Sequence, residues 1–447
     1  MGKKTKDEHK KVLLRDAKIF RFDELTSDQQ KAVTIINDWY HSKKHSKKDM
    51  VLRIGGCAGT GKTSILTYLL KQFNFDDNEC YVVAYTGQAV NVLRQKGIMA
   101  KTIHSTFMHA TEEPLLDENG NVITRSGVPI MKTRFRPVKK IPSTVKLIIC
   151  DEASFLPEKL EELMLRYNVL LLEFGDPIQL PPVSGKQCFH MDNLDYFMTQ
   201  IMRQEGGSEI VDLATKVRHY DPIDISQYHN EVQFLWAQPT IEETFFRFKP
   251  FIRGADVTIV STNKQRDFIN RMYREHILHT ESPFPIKGER MICRKNDWNL
   301  MLGPFPLTNG TQGVAMYDVG RSEVERSTGI YTMDFKPDFI QNDYFDGLSC
   351  DIKFLLDDNK NKKDMSFYEQ LNPGKKFEYA HAITCHLSQG AEYQSVVFLD
   401  SFNRDAEYHM RVRYTAITRA VGKLWYVLPY SKNCPHWTDL SFGGFRE

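Results

Sequence analysis

The sequence predicts an α/β protein with two parallel sheets and two smaller β-rich insertions. The first observation is a strand, a glycine turn and a helix in "DMVLRIGGCAGTGKTSILTYLLKQF", at residues 49–73. The second is that the same alternation continues in "CYVVAYTGQAVNVL" and "TVKLIICDEAS". The third is a later pair of strand and helix segments, at 255–273 and 379–401. Strands that alternate with helices favour parallel sheets covered on both faces.

An amphipathic helix is predicted ahead of the first strand, in "LTSDQQKAVTIINDWY" at residues 25–40. Thr26 and Gln29 have the spacing of a capping box, in which each side chain bonds the other residue's backbone. Ala32, Val33 and Ile36 then recur at helical spacing and define the buried face.

Two stretches interrupt this alternation. Residues 111–140 contain an Asn119-Gly120 turn signal and many basic residues, which predicts a small β excursion from the first sheet. Residues 290–374 are rich in Gly, Asp, Asn and short β-prone runs, which predicts a compact inserted β module.

Composition is that of a globular protein with 447 residues, 41% hydrophobic residues and 26% charged residues. The net charge is +2, but the first 50 residues hold 13 Lys/Arg against 8 Asp/Glu. Their two lysine-rich stretches either attract phosphates or are solvated segments. Eight cysteines show no zinc spacing or CxxC pair, and neither a signal peptide nor an apolar span is evident. A cytoplasmic protein with free thiols and no membrane partner is expected.

A phosphate-binding loop is predicted in "GCAGTGKT" at residues 56–63, which fits GxxxxGKT between a strand and a helix. Gly56 and Gly61 are expected to permit backbone angles that turn successive N–H groups towards phosphate oxygens. Lys62 would reach the β/γ-phosphates, and the Thr63 hydroxyl would bind Mg²⁺. The implied cofactors are ATP and Mg²⁺.

Two further strand ends carry polar groups. Asp151 and Glu152 end the apolar run "LIICDEAS", where Asp151 would hold Mg²⁺ and Glu152 would activate water, unless the pair is a solvated turn. In "LEFGDPIQLPPV", Gln179 follows another strand and can bond a γ-phosphate or water, although a structural turn is the favoured explanation when the segment is taken alone.

Together these segments resemble superfamily 1 helicases, and most closely the RecD-like and Dda-type 5′→3′ DNA helicases of superfamily 1B. The resemblance covers residues 22–428 and rests on a series of motifs in the expected order: "LTSDQQ", "GCAGTGKT", "AYTGQA", "TIHS", "CDEAS", "GDPIQLPPV", "IMRQ", "STNKQRDFIN", "ITCHLSQGAEY" and "YTAITRA".

The resemblance implies two RecA-like domains with parallel sheets, a pin hairpin and an SH3-like insertion. The implied boundaries are 1–21 for a basic tail, 22–110 and 141–204 for the first RecA-like domain, 111–140 for the pin, 205–289 and 375–430 for the second RecA-like domain, 290–374 for the SH3-like subdomain, and 431–447 for a C-terminal tail.

The resemblance also implies roles for individual residues at the nucleotide. The implied catalytic set consists of Lys62, Glu152 as the base, Gln179 as the γ-phosphate sensor, and Arg203 and Arg419 as arginines that approach from across the cleft. Gln29 resembles an adenine-recognising glutamine, a role that competes with its capping-box role without excluding it. Thr63 and Asp151 are the implied metal ligands, and the implied nucleotide-binding set is Gln29, Gly56, Cys57, Ala58, Gly59, Thr60, Gly61, Lys62, Thr63, Ser64, Gln389 and Glu392.

Short polar residues just past strand ends match the family's single-strand groove. Such groups suit phosphate contacts that position a strand without reading its sequence. His104 and His386 have a competing interpretation as buried histidines bonded to backbone, and Phe107 is among the aromatic candidates for base stacking. The matched positions are Thr86, Thr102, His104, Asn263, Thr384 and His386.

The expected activity is ATP-dependent translocation 5′→3′ on single-stranded DNA with duplex unwinding. Its expected partners are single-stranded DNA, single-strand/duplex junctions and replication or recombination proteins, and the expected state is a monomer. Alternatives are a translocase or protein-displacing remodeller with weak unwinding, and a nucleic-acid clamp switched by ATP. RNA stays open as a track, because phosphate contacts do not distinguish it from DNA.

Arg419 also has a local explanation. The sequence predicts that it lies in the last turn of a helix capped by Gly422, where a cation interacts favourably with the helix dipole.

Overall fold

The computed structural model describes residues 14, 17–18, 20–42, 45–76, 78–117, 119–125, 128–129, 131–201, 207–303, 305–325, 329–356, 374–430 and 439–440. The helices are α1 Ser27–Tyr40, α2 Lys62–Phe73, α3 Gly87–Gln95, α4 Ile103–Phe107, α5 Glu158–Leu165, α6 Glu209–His219, α7 Ile241–Gly254, α8 Asn263–Tyr273, α9 Ile352–Leu356 and α10 Ala406–Ile417.

The strands are β1 Val51–Gly56, β2 Cys80–Ala84, β3 Lys101–Thr102, β4 Met108–Pro114, β5 Thr124–Arg125, β6 Val128–Pro129, β7 Met131–Pro137, β8 Leu147–Asp151, β9 Leu170–Gly175, β10 Tyr196–Met198, β11 Ile223–Asp224, β12 Val232–Trp236, β13 Val257–Val260, β14 Arg290–Cys293, β15 Asp297–Leu302, β16 Phe305–Leu307, β17 Gln312–Ala315, β18 Val324–Glu325, β19 Ile330–Pro337, β20 Phe345–Asp351, β21 Phe377–Tyr379, β22 Ala382–Thr384, β23 Tyr393–Leu399, β24 Ala420–Leu428 and β25 Asp439–Leu440.

The chain divides into two compact units. The first comprises Met1–Thr102, Pro142–Leu278 and His381–Glu447, and the second comprises Ile103–Ile141 and His279–Ala380. Both predicted parallel sheets lie in the first unit, and both predicted insertions lie in the second.

The first sheet has the strand order β10-β1-β9-β8-β2-β3, and every pairing in it is parallel. Its central strand β8 is buried along its whole length, as expected for a strand covered on both faces. Helix α1 begins after Thr26, whose hydroxyl accepts from the Gln29 N–H, while the Gln29 side chain accepts from the Thr26 N–H. The predicted capping box is confirmed.

The second sheet of this unit has the order β12-β24-β23-β13-β22 and is also entirely parallel. A core of buried side chains, among them Phe245, Ile269 and Val397, packs on it. The connection 385–392 leaves the carboxyl end of β22 and enters the amino end of β23, and a 3₁₀ turn at Cys385–Ser388 forms its first part. The predicted second α/β domain is confirmed.

The second unit is antiparallel. In its first segment β4 pairs with β7 from Met108↔Pro137 to Pro114↔Met131, so the hairpin strands begin three positions before the predicted excursion at 111. Gly120 has φ +82° and donates its N–H to the Asp117 carbonyl, as the Asn-Gly signal predicts.

The second segment of this unit forms the sheet β18-β19-β17-β14-β21, with β20 also paired to β19. Tyr331, Phe335 and Phe377 belong to its core, so the inserted module is β-rich as predicted. The assignments as pin and SH3-like subdomain stay predictions.

The two predicted tails are described only in part. Leu14 forms a bridge with Ile98, and β25 pairs with β11, so the C-terminal segment adds a strand that the sequence did not predict. The lysines before residue 14, Lys43 and Lys44 lie outside the described residues. Seven of the eight cysteines lie in the described ranges, and all seven are free and buried. Within the described ranges, no helix combines the length and the apolar character needed to cross a membrane.

A buried ion cluster joins the first sheet to α5. The β1–β9 register places Arg53 opposite Glu173, with Arg53 Nε 3.1 Å from Glu173 Oε2, and Arg53 also pairs with Glu161. Burial and the neighbouring charge of Glu161 raise the pKa of Glu173, and Arg53 opposes the rise, with the net result that the pKa is about 8. Because the folded state holds this proton more tightly than the unfolded state, its stabilising effect is complete below pH 4.5 and is lost as pH rises through about 8.

We therefore expect Glu173→Gln to flatten the pH dependence of stability. In the parent, the free energy of unfolding should fall between pH 4.5 and 8, whereas a neutral amide has no proton to lose. Denaturant unfolding at several pH values measures both slopes. Glu162→Gln, at an exposed position of α5, should retain the parent slope. Equal slopes for Glu173→Gln and the parent would contradict the assignment.

Candidate nucleotide site and nucleic-acid edge

The glycine loop joins β1 to α2. Gly59 and Gly61 have φ of 83° and 76°, in the left-handed region that favours glycine. Gly56 instead ends β1, and an added Cβ would lie 2.6 Å from Thr60 Oγ1. The prediction for Gly61 is confirmed, whereas Gly56 is required for lack of space and not for its backbone angle.

Lys62 begins α2 with its ammonium group folded over the loop. Its Nζ donates to the carbonyl oxygens of Gly56 at 2.7 Å and Cys57 at 3.1 Å. The amino end of α2, at Lys62 and Thr63, offers N–H groups and the positive end of a helix dipole, whereas the Ser64 N–H donates to the Gly61 carbonyl at 2.9 Å. This arrangement suits the phosphates of a nucleotide.

Gln29 connects α1 to the same loop. It is fully buried, and its Nε2 donates to the Thr60 carbonyl at 3.0 Å while its Oε1 accepts from the Thr26 N–H. The helix cap and a contact with the phosphate loop therefore coexist in one side chain. Adenine recognition by Gln29 stays a prediction.

The acid pair lies at the carboxyl end of β8. Asp151 is the last residue of the strand, and Glu152 has φ 55° and ψ 41°, a strained conformation for a residue with a side chain. Glu152 Oε2 is buried and has no hydrogen-bond partner among the described residues. Burial raises the pKa of both carboxyl groups, and the charge of Asp151 raises that of Glu152 further, while Lys62 opposes both shifts. The strained backbone of Glu152, its buried Oε2 atom and the raised pKa values of both carboxyl groups are typical of a functional site and not of a solvated turn.

The turn after β9 holds Asp176 and Gln179, both buried. The Asp176 N–H donates to Ser154 Oγ at 2.6 Å, which ties this turn to the loop that carries Glu152. Gln179 Nε2 lies 3.5 Å from Asp176 Oδ2, and Gln179 Oε1 is buried with no partner in the part of the chain that the structure describes.

These groups fit a magnesium nucleotide. Strands β1, β9 and β8 are adjacent and parallel, so their carboxyl ends bring Lys62, Asp151, Glu152 and Gln179 to one edge. Two buried oxygens there, Glu152 Oε2 and Gln179 Oε1, can accept hydrogen bonds from a bound water. Asp151 and the Thr63 hydroxyl are oxygen donors of the kind that Mg²⁺ prefers.

Arg419 follows α10 and does not lie within it. The helix ends at Ile417 with Thr418 as its C-cap, and Gly422 lies inside β24, so the predicted glycine cap is wrong. The buried guanidinium donates to the carbonyls of Thr415 at 3.1 Å and Ala391 at 3.2 Å. Its charge also opposes the rise in the pKa of Glu152, so the two groups are within electrostatic reach.

Residues of the second domain contact the 176–180 turn, and the sequence motifs predict only some of these contacts. Gln389 Nε2 donates to the Leu180 carbonyl at 3.3 Å, in agreement with its predicted location between the domains. Arg411 donates to the carbonyls of Pro177 and Gln179, and Thr415 Oγ1 accepts from the Leu180 N–H at 3.1 Å. Sequence reasoning missed Arg411 and Thr415; their spacing on one helical face was the available signal.

Two other predicted nucleotide-site residues are less informative. Glu392 is exposed, just before β23. Arg203 lies outside the described residues, so its role stays a prediction.

The predicted nucleic-acid residues lie at the outer strands of the two sheets. Thr86 follows β2 and Thr102 ends β3, and these two strands lie at one side of the first sheet. Asn263 follows β13 and Thr384 ends β22, and these two strands lie at one side of the second sheet. Local roles also exist, because Thr86 Oγ1 caps α3 by accepting from the Ala89 N–H. Asn263 is exposed, whereas Thr102 and Thr384 are buried.

The two predicted histidines are partly buried. Burial lowers the pKa of both His104 and His386, so they are neutral at physiological pH and do not attract phosphate by charge. The His104 ring lies edge-on to Phe135, which is exposed, whereas Phe107 is fully buried. Phe107 is therefore a core residue, and its interpretation as a base-stacking residue is wrong.

Comparison with known proteins agrees with this geometry. Residues 25–238 match the AAA domain family, and residues 379–427 match the UvrD-like helicase C-terminal domain family. An uncharacterized protein of Methanocaldococcus jannaschii is 22% identical over 90% of this chain, which spans 39% of that protein's length.

Two solved structures share the fold. One describes DNA unwinding at forked double-stranded DNA by two coordinating Pif1 helicases, with 19% identity and a TM-score of 0.51 over 92% of this chain and 93% of that one. The other is Bacteroides Pif1 bound to single-stranded DNA, with 17% identity, a TM-score of 0.51 and the same coverages.

The fold and the site define a P-loop NTPase with two RecA-like domains, one for each parallel sheet. Residues 25–238 therefore resemble an AAA domain, residues 379–427 resemble a UvrD-like helicase C-terminal domain, and the fold of the chain is that of the Pif1 helicases.

We expect Glu152→Gln to stabilise the nucleotide-free protein. The change removes the half-buried carboxylate next to the buried one of Asp151 and should raise Tm by about 1–3 °C at neutral pH, less in acid where the pair is protonated. Thermal unfolding without nucleotide or Mg²⁺ measures the effect, with Glu158→Gln, an exposed position, as the matched control. A lower Tm for Glu152→Gln would contradict the electrostatic assignment.

Proposed function

We propose that the protein is an ATP-dependent DNA helicase that moves 5′→3′ on single-stranded DNA and unwinds duplex DNA. The observation that carries the proposal is the joint placement of Lys62, Glu152 and Gln179 at one sheet edge, within electrostatic reach of Arg419 from the second sheet. Catalytic groups divided between two domains suit hydrolysis that is coupled to domain motion.

Each residue has a defined role in this proposal. Lys62 and the N–H groups of the loop bind the phosphates, and Thr63 and Asp151 hold Mg²⁺, which supplies charge neutralisation at the phosphates. Glu152 Oε2, buried and without a partner, accepts a hydrogen bond and then the proton of the attacking water. The raised pKa of Glu152 makes it a stronger base than an ordinary carboxylate.

Gln179 and Arg419 complete the site. Gln179 Oε1 has no partner in the described structure and can accept a hydrogen bond from the attacking water, whereas its Nε2 group can donate to a γ-phosphate oxygen. The Arg419 guanidinium must exchange its backbone carbonyl partners for phosphate oxygens, where it stabilises the charge of the transition state. A pure clamp would not require this complete hydrolytic set.

The connection 385–392 supports coupling to the nucleic acid. It begins after Thr384, at the outer strand where nucleic-acid contacts are predicted, and it carries Gln389, which bonds the turn that holds Gln179. A strand bound at the sheet edge and a phosphate bound at Gln179 would therefore act on the same segment.

DNA as the track, together with single-strand/duplex junctions as substrate, is favoured because Bacteroides Pif1, which has the same fold, binds single-stranded DNA. The 5′→3′ polarity rests on the motif resemblance to RecD-like and Dda-type enzymes. Neutral polar groups at the edge would hold the track through its sugar-phosphate backbone.

ATP hydrolysis and unwinding test the proposal directly. We expect single-stranded DNA to stimulate ATPase activity, duplexes with a 5′ tail to be unwound, and Lys62→Ala to abolish both. RNA strands of the same length serve as the comparison track. Turnover that ignores every nucleic acid would refute the helicase assignment, and unwinding only from a 3′ tail would refute the polarity.

Arg419→Ala tests the contribution of the second domain to hydrolysis. Loss of a guanidinium at the γ-phosphate should reduce kcat by a factor on the order of 10³, while nucleotide and DNA affinity stay within a few-fold. Arg419→Lys keeps the charge without the planar fork and should recover little of the loss. The control is Arg404→Ala, at an exposed position of the same domain. Near-parent turnover in Arg419→Ala would leave Arg419 only a structural role.

A further inference from the structure

Tyr414 joins the phosphate loop to the second domain through one hydroxyl group. It lies on α10 and is fully buried. Its hydroxyl donates to Asp176 Oδ2 at 2.6 Å and accepts from the Ala58 N–H at 3.2 Å. One oxygen atom of the second domain thus contacts two elements of the first.

Both contacts lie next to the predicted position of the γ-phosphate. Ala58 follows Gly56 and Cys57, whose carbonyls hold the Lys62 ammonium, the group that reaches the β/γ-phosphates in P-loop proteins. Asp176 precedes Gln179 in the same turn and accepts from the Ile178 N–H through its other oxygen. The hydroxyl therefore fixes the loop and the turn relative to each other.

The rest of α10 strengthens this arrangement. Arg411 and Thr415, on the same face of the helix, hold the carbonyls of Pro177 and Gln179 and the N–H of Leu180. Tyr414 alone among these three also bonds the phosphate loop. Burial and the neighbouring Asp176 raise the pKa of Tyr414 well above its usual range, so the hydroxyl remains a proton donor at every working pH.

We propose that Tyr414 is a positioning residue for ATP hydrolysis, which sets the Ala58 peptide and the Asp176 turn to receive the γ-phosphate. It acts through these two groups and does not touch the reacting atoms. The inference rests on the proposed ATPase function. It predicts an effect on steps that involve the γ-phosphate and little effect on ADP, which lacks that group.

Tyr414→Phe removes the hydroxyl and retains the ring. We expect kcat for DNA-stimulated hydrolysis to fall about tenfold, the loss expected for one hydrogen bond to a buried charge, and KM for ATP to rise several-fold. The affinity for a fluorescent ADP should stay within about twofold of the parent.

Tyr426→Phe is the matched control. Tyr426 is also fully buried, and its hydroxyl donates to the buried carboxylate of Asp400 at 2.9 Å within the second domain. The two variants should lose a similar amount of Tm, whereas only Tyr414→Phe should lose turnover. Equal kcat values for Tyr414→Phe and the parent, or equal losses in both variants, would overturn the inference.

A double-mutant cycle tests the route of the effect. If Tyr414 acts through Asp176, adding Tyr414→Phe to Asp176→Asn should reduce kcat by less than twofold further, because contacting residues are not additive. A full tenfold further loss would overturn this route.

Nucleotide binding separates this inference from the proposed function. If the parent hydrolyses no ATP, the proposed function is refuted. The positioning role of Tyr414 is then tested by the ratio of the affinities for ATPγS and ADP. Tyr414→Phe should lower that ratio several-fold while Tyr426→Phe leaves it unchanged. An unchanged ratio in Tyr414→Phe would overturn the inference whatever the parent's activity.

Discussion

The buried carboxylate of Asp176 is the interaction on which the arrangement of the site depends. A charge without exposed surface must be fully hydrogen-bonded, because an unpaired buried charge is very unfavourable. Asp176 obtains one bond from its own turn and its shortest one from Tyr414 of the other domain. The first domain is therefore complete only when the second lies against it, and separating them requires water to replace the tyrosine hydroxyl.

The remaining site follows from the parallel sheet. Adjacent strands end at one edge, so polar groups distant in sequence meet where no backbone partner competes for them. Burial at that edge leaves Asp151 and Glu152 with raised pKa values and leaves single oxygens of Glu152 and Gln179 without partners. Such groups destabilise the nucleotide-free protein and are ready to receive a ligand, which is the usual compromise between stability and activity.

Sequence reasoning succeeded where a local pattern determines the structure. The capping box of Thr26 and Gln29, the loop around Lys62 and the acid pair after β8 each depend on a few consecutive residues. It failed where tertiary packing decides. Gly422 is suited to a helix cap, but pairing between β23 and β24 begins at Ala420 and extends the strand through it. The spacing of Arg411, Tyr414 and Thr415 places them on one face of α10, but the sequence alone does not say that this is the face that docks against the first domain.

The connection from β22 to β23 has little spare length. The strand register aligns the end of β22, Thr384, with Val260, and it aligns Val260 with Leu399 at the end of β23. The connection therefore runs from the level of Leu399 back to the start of the seven-residue β23. That return is about 20 Å and the sideways shift across two strand spacings is about 10 Å, for a direct span of about 22 Å. A path with a four-residue 3₁₀ turn reaches only about 25 Å. Two successive turns, at Cys385–Ser388 and between Ser388 and Ala391, span this distance, so a single short stretch of backbone sets the position of Gln389 relative to Thr384.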